Sequence, residues 1–455
     1  MVFRQYFACL FLIFLSPLAA SADGTTWKAG VGRAVITPKQ PMWLSGYASR
    51  THPSEGKLQD LHAKVLALDD GKGNVGLLIT LDLVGITREF SNSLRVQIDR
   101  RWHISAANIL LSVSHTHSGP AIEGNLATMY ALDEKQARLV HEYRLALEAN
   151  ILDAVAKALA GREPVTLSWG IGTADFAVNR RANKEAEVPR LRKEGLLKGP
   201  TDHDVPVLAV YRPNRQLLAV AFGYACHATV LDGYLWSSDY PGAAQAALEA
   251  AHPGATALFW AGCGADQNPL PRRQAAHVEQ YGKALAASVD AVLATSLPEL
   301  EPGLATAAAD IDLPFAALPT RVEIDRNLRS TDRFVAARAK LLLEQIQREG
   351  TLRPSYPYPF SVWRLGKALT WVGLGGEVVV DYALRLKKEL GPGPVWVTAY
   401  ANDVMAYIPS RRVLDEGGYE GGGAMVYYGL PASWGPRVED LIVDAVRTQA
   451  RKLGK

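Results

Sequence analysis

Short apolar runs alternate along this chain with longer stretches whose apolar residues recur every three or four positions, and no other feature constrains the fold as much. The runs at 75–83 and 109–114 are apolar nearly throughout and lead into polar, glycine-bearing sequence, which is how a buried strand reads. Across 133–159 the residues Leu139, Tyr143, Leu147, Ile151 and Val155 fall four apart, on one face of a helix. The same reading places strands at 207–211, 217–225, 256–260 and 369–373, and helices at 242–251, 275–294, 332–349, 378–390 and 438–453. Strands that alternate with helices predict an α/β fold, a mixed β-sheet core flanked by helices. Residues 313–359, rich in proline and charge around one helix, read as an insertion over the site rather than as a domain boundary. No repeat or low-complexity stretch interrupts the pattern.

The first residues read as a leader. One positive charge in 1–4 precedes an apolar run over 7–17, and Ala20-Ser21-Ala22 offers small residues for cleavage. That order predicts a signal peptide over 1–22 and an exported chain, periplasmic or secreted, over 23–455. An uncleaved anchor is the alternative, although the run falls short of the roughly 20 residues a membrane helix needs. Of 455 residues, 48% are apolar and 21% charged, and the net charge is +3, so no basic block points to nucleic acid. Beyond the leader only Cys226 and Cys263 remain, too few for a disulfide scaffold. They flank the candidate site and are expected to lie near each other, either bridged or as two small buried apolar groups.

Several expected strands end in residues of metal-ligand type. The run at 109–114 leads into His115-Thr116-His117-Ser118-Gly119-Pro120, and on extended backbone two histidines two apart point to the same side. The run at 217–225 delivers Cys226-His227, and the strand before Gly375-Gly376 delivers Glu377. Sites in α/β sheets form at the carboxyl ends of strands, and imidazole with carboxylate suits a zinc ion that keeps a position open. Each residue alone has a commoner fate: a buried histidine is usually a hydrogen-bonded core residue, and Glu377 could face a helix dipole. Three at three strand ends point to a metal. Asp82, at another strand end, either orients a ligand histidine or caps its turn.

These residues resemble the neutral ceramidases, zinc-dependent amidases. The likeness runs from Gly30 to Thr37 and Leu44-Ser-Gly-Tyr47, through the His115 to Pro120 motif and Gly376-Glu377, to Ala401-Asn402, Tyr407 and Tyr419-Glu420. The resemblance implies one zinc ion per chain held by His115, His227, Glu377 and Tyr407. It implies that His117 contacts the substrate's amide oxygen and that Tyr419 has a similar role. It also implies cleavage of ceramide to sphingosine and fatty acid. The partner is then an amphipathic lipid or N-acyl amide, which can be met at a membrane surface.

One departure concerns the nucleophile. Where the family carries Gly-Asp-Val-Ser-Pro-Asn, this chain reads Gly262-Cys-Gly-Ala-Asp-Gln-Asn-Pro269, and the serine falls near Gln267. No covalent serine is expected there, while Asp266, Gln267 and Asn268 stay candidates because a glycine-rich loop allows close approach. The chain also stops where the family's C-terminal immunoglobulin-like domain would begin. Besides a ceramide amidase, a zinc hydrolase of another N-acyl amide or ester, or a non-catalytic metal-binding relative, fits the sequence. A long apolar groove beside His115 would favour lipid, and a short polar pocket the other hydrolase.

Overall fold

The structure, a computed structural model, describes residues 25–391 and 393–454. The leader expected over 1–22 lies outside the described residues. Twelve strands form two sheets. Trp27–Val35 (β1), His62–Asp69 (β2), Val75–Leu81 (β3), Ile109–Val113 (β4), Glu163–Thr173 (β5), Asp204–Tyr211 (β6), Leu217–Tyr224 (β7) and Thr256–Ala261 (β8) build an eight-stranded sheet in the order β8-β7-β6-β5-β1-β2-β3-β4. Leu304–Pro314 (β9), Ser355–Leu365 (β10), Leu369–Leu374 (β11) and Val395–Thr398 (β12) follow one another in a four-stranded sheet.

The two sheets pack face to face, so the core has one more layer than a single sheet flanked by helices. Alternate residues of each strand divide between the layers. In β2, Ala63, Val65 and Ala67 join the large helix-side core, while Leu66 and Leu68 face the second sheet. Trp260, Trp363, Trp371 and Trp396 meet there, with Trp260 and Trp371 ring centres 4.5 Å apart. A methyl group on Gly223 would lie 2.3 Å from the Trp260 indole, so only glycine allows that ring its place. In β4, β7, β8, β11 and β12 both faces are covered, so these strands carry almost no polar alternation and read as continuous apolar runs.

Three connections are parallel crossovers. Arg88–Trp102 (α1) joins β3 to β4, Asp239–Ala251 (α2) joins β7 to β8, and Val380–Glu389 (α3) joins β11 to β12. Local chemistry starts these helices: Thr87 accepts from the Phe90 amide, and the Asp266 carboxylate accepts from the Val380 amide at 2.9 Å. Residues 315–354, between β9 and β10, hold the helices Arg321–Asn327 and Arg333–Glu349 around a small cluster of Ile324, Ala339, Leu342 and Leu352. Among the described residues no helix is long and apolar enough to cross a membrane.

Candidate metal centre

Each parallel crossover begins or ends at the centre. His115 follows β4, His227 follows β7, and Glu377 lies just past β11 before α3. Glu377 stands in a two-residue parallel ladder opposite Tyr407, which puts both side chains on one side. The backbone at His115 is not extended, as the sequence suggested; its φ is 58°, a left-handed turn. Tyr400 and Asn402, beside the centre, also have positive φ. Such strain in non-glycine residues persists only where the surroundings over-determine it. The Tyr400 ring stacks on His115 at 4.3 Å.

The ring nitrogens are sorted by their partners. His115 Nδ1 lies 2.5 Å from the Val84 carbonyl and His227 Nδ1 lies 2.8 Å from the Gly264 carbonyl. A carbonyl only accepts, so each Nδ1 carries the proton and each Nε2 presents a lone pair. Those lone pairs converge on Glu377 Oε2, 3.1 Å from His115 Nε2 and 3.3 Å from His227 Nε2. Glu377 Oε2 is buried and accepts no hydrogen bond. Tyr407 Oη lies 3.3 Å from His227 Nε2, and His117 Nε2 lies 3.1 Å from His115 Nε2.

A tetrahedral ion with bonds of about 2.0–2.1 Å separates its ligands by roughly 3.3 Å. The observed spacings match that edge, and a buried set of facing lone pairs is unfavourable without a cation between them. The residues present therefore fit a metal ion. Burial holds His227 down at about 4, helped by the Arg180 cation, and burial with neighbouring histidines keeps His117 well below the usual imidazole range. Burial alone would raise the Glu377 carboxyl; His115 and His227 outweigh it and hold the group well below its ordinary range. Neutral imidazoles and an ionised carboxylate are the forms a metal takes.

The mouth is an open pocket of about 530 Å³ lined by His117, Arg180, Asn268, Tyr407 and Tyr419 with further charged side chains. Tyr419 is 45% exposed, its ring centre 5.2 Å from that of Tyr407. Sequence reasoning missed two residues. Arg180, partly buried, donates to Tyr407 Oη at 3.1 Å, Asn268 Oδ1 at 3.3 Å and Glu420 Oε1 at 2.7 Å. Tyr428 donates to Glu377 Oε1. Nothing local marks either residue, since their partners lie in distant segments of the chain.

Other candidates lie away from the pocket. Gln267 is fully buried, its amide donating to the Ala225 carbonyl at 2.5 Å and accepting from the Asp202 amide at 3.1 Å. Asp266 is also fully buried and holds Val380 and, through Asn179 Nδ2 at 3.0 Å, the strand carrying Arg180. Of the three loop candidates only Asn268 lines the pocket. Asp82 accepts from the His62 amide at 2.9 Å, so it ties the end of β3 to the start of β2 and orients no ligand ring. Cys226 and Cys263 are free and buried. Of the two readings of this pair, the bridge is not formed. They are the small buried groups of the other reading.

Fold and site together define an α/β protein that gathers metal-ligating side chains under an open polar pocket. The chain belongs to the neutral/alkaline non-lysosomal ceramidase family, whose N-terminal model matches residues 27–336. Among solved structures, the neutral ceramidase from Pseudomonas aeruginosa superposes with a TM-score of 0.72 at 18% identity, over 95% of this chain and 75% of that one. A ceramidase complexed with C2 gives a TM-score of 0.73 at 18% identity, over 94% and 76%. At that identity the likeness is one of fold. No curated protein sequence matches the chain. At the level of the family the activity is hydrolysis of an amide bond in a lipid substrate.

Proposed function

We propose that this protein is an exported zinc-dependent amidase that hydrolyses ceramide to sphingosine and fatty acid, with the ion held by His115, His227, Glu377 and Tyr407. The observation that carries this reading is the convergence of the His115 and His227 Nε2 lone pairs on a carboxylate oxygen without a hydrogen-bond donor, at tetrahedral spacing. The three histidines, whose ligand atoms lie within 4.8 Å of one another, could form an alternative set. Glu377 is preferred to His117 because a ligating histidine almost always donates its other N–H to a fixed acceptor. His115 and His227 do so; His117 Nδ1 has no partner.

A zinc ion in such a set acts as a Lewis acid on a carbonyl and makes water ionise near neutral pH. The protein's own groups do the rest. His117 and the Tyr419 hydroxyl offer hydrogen bonds where negative charge develops on the amide oxygen, each worth about 3 kcal/mol. Arg180 holds Tyr407 by its hydroxyl and is kept charged, against the effect of burial, by Tyr407 and Glu420. With both amide atoms of Gln267 occupied, no acyl-enzyme forms at that position, and water attacks the carbonyl directly.

The lining carries a second reading of the substrate. Arg180, Arg181, Arg272, Glu185 and Glu420 make the mouth polar, which favours an N-acyl amide whose released amine is hydrophilic. Elemental analysis and release of fatty acid from fluorescent N-acylsphingosine, beside a panel of N-acyl amides with polar amine halves, test both. Zinc near one per chain with turnover of N-acylsphingosine is expected. Turnover confined to the polar panel selects the second reading, and a protein that neither holds zinc nor responds to it refutes the proposal.

A further inference from the structure

The three histidines of the centre are held in place by different means. His115 and His227 are tied through Nδ1 to carbonyls, whereas the His117 ring has no hydrogen bond on that side and Nδ1 is buried. On that side packing alone holds the ring, whose Nε2 lies 3.1 Å from His115 Nε2. One wall is Gly46, with φ of 94°, where an added Cβ would lie 2.4 Å from His117 Nδ1. The other is Tyr47, whose ring meets the imidazole edge-on at 4.8 Å between centres.

Both walls belong to a strap over 45–50 that is anchored below. Tyr130 Oη lies 2.5 Å from Ser45 Oγ and accepts from the Gly46 amide at 2.9 Å. Arg50 is 4% exposed, donates to the Ser45 carbonyl at 2.5 Å and the Gly233 carbonyl at 2.9 Å, and sits 4.9 Å from the centre of the Tyr47 ring. Its Nε has no partner, and among the described residues no carboxylate forms an ion pair with it. A guanidinium buried without a counter-ion is costly, and stability alone does not account for it. Its hydrogen bonds close the strap on itself and press Tyr47 and Gly46 onto His117.

The geometry points to Arg50 and Gly46 as positioning residues that aim the His117 imidazole at the substrate carbonyl, the strap replacing the hydrogen bond that fixes the other two rings. This rests on the amidase reading given above. A misplacement of about 1 Å in a group that meets the transition state costs on the order of a hundredfold in rate. Gly46→Ala and Arg50→Met should each lower kcat by about 10- to 100-fold on N-acylsphingosine or whichever N-acyl amide is turned over, with zinc content and KM little changed. Arg50→Lys, which can still reach one carbonyl, should recover part of the loss. In a His117→Ala background neither change should lower kcat further, because both act through that ring.

Nitrogen-15 spectra of the histidine rings supply a readout apart from activity. The signals that vanish in His117→Ala should shift in Gly46→Ala and Arg50→Met, while those of His115 and His227 stay. Should Gly46→Ala fail to fold, the Arg50 pair carries the test. A kcat within twofold of wild type in Arg50→Met, unshifted His117 signals, or equal losses with and without His117 would overturn the inference. Wild-type protein that hydrolyses no N-acyl amide defeats the amidase reading, and the spectra still decide whether the strap orients the ring.

Discussion

The strands β7, β8 and β11 lead two lives. In their middle they meet the opposing sheet through Trp260, Trp371 and their neighbours, a layer with scarcely a polar atom. At their carboxyl ends, two or three residues further on, they present His227, the 262–269 loop and Glu377 to a pocket crowded with charge. The dry half is held by area: each large side chain fully buried contributes about 1.5–3 kcal/mol without directional demands. The wet half is held by direction, since every lone pair in it needs a donor or a cation at a set distance. Damage to the first should therefore lower stability and spare the chemistry; damage to the second should do the reverse.

The sharpest test of that division removes a ligand. Glu377→Ala or His227→Ala should abolish zinc retention and activity together, a loss beyond the about 100-fold that an outer partner costs. Melting curves in the presence of chelator should hardly separate the variants from wild type. Retained zinc in both would break the assignment.

Next in size is the layer between the sheets. Trp371→Ala should destabilise the fold by about 3–5 kcal/mol, read by denaturant unfolding. The folded fraction should keep its zinc and turn over substrate at the wild-type rate. A loss of kcat in that fraction would show that the sandwich, and not only the loops, sets the geometry of the site.

A finer cut separates holding the metal from using it. Tyr407→Phe should weaken zinc retention, because the phenol oxygen lies 3.3 Å from His227 Nε2. Tyr419→Phe should leave zinc in place and lower kcat by about a hundredfold, the usual effect of losing one oxyanion donor. A fully active Tyr419→Phe removes it from the catalytic groups and leaves the metal centre untouched.

Strands, helices and three of the converging side chains were legible because each depends on nearby sequence. A run such as 217–225 is apolar because both faces are covered, and the change to Cys226-His227 marks where the strand ends, still under cover. The second sheet was not legible: continuous apolar runs say that a strand is covered, not whether helices or another sheet cover it. The turn at His115 was misread because a left-handed residue between two β-like neighbours leaves no mark in composition. Arg180 and Tyr428 escaped because their roles exist only once segments more than two hundred and about fifty residues apart meet. Gln267 was expected in a loop at the pocket and lies in the short strand Gln267–Pro269 with its side chain buried, since a residue beside a site faces either way.

Asp266 marks the boundary between the two halves, and its effect is the smallest. Burial pushes its carboxyl up to about 6, although the Val380 amide stabilises the charged form. An unfolded aspartate titrates near 3.9. Between about pH 4 and 6 the folded protein therefore holds more protons than the unfolded chain, and stability falls as pH rises through that window. The contribution is fully present below about pH 4 and lost above about pH 6, on the order of 2 kcal/mol. Asp266→Asn keeps an oxygen to accept from Val380 and removes the titration, so the gap in stability between variant and wild type should move in the variant's favour from pH 4 to 6. Its kcat should stay within about tenfold of wild type, because the carboxylate reaches the helix start and Asn179 rather than the pocket. A flat stability difference would mean that Arg412, 3.8 Å away, keeps the group ionised in the fold. A collapse of kcat with zinc retained would return Asp266 to the catalytic groups and move the boundary one residue toward the core.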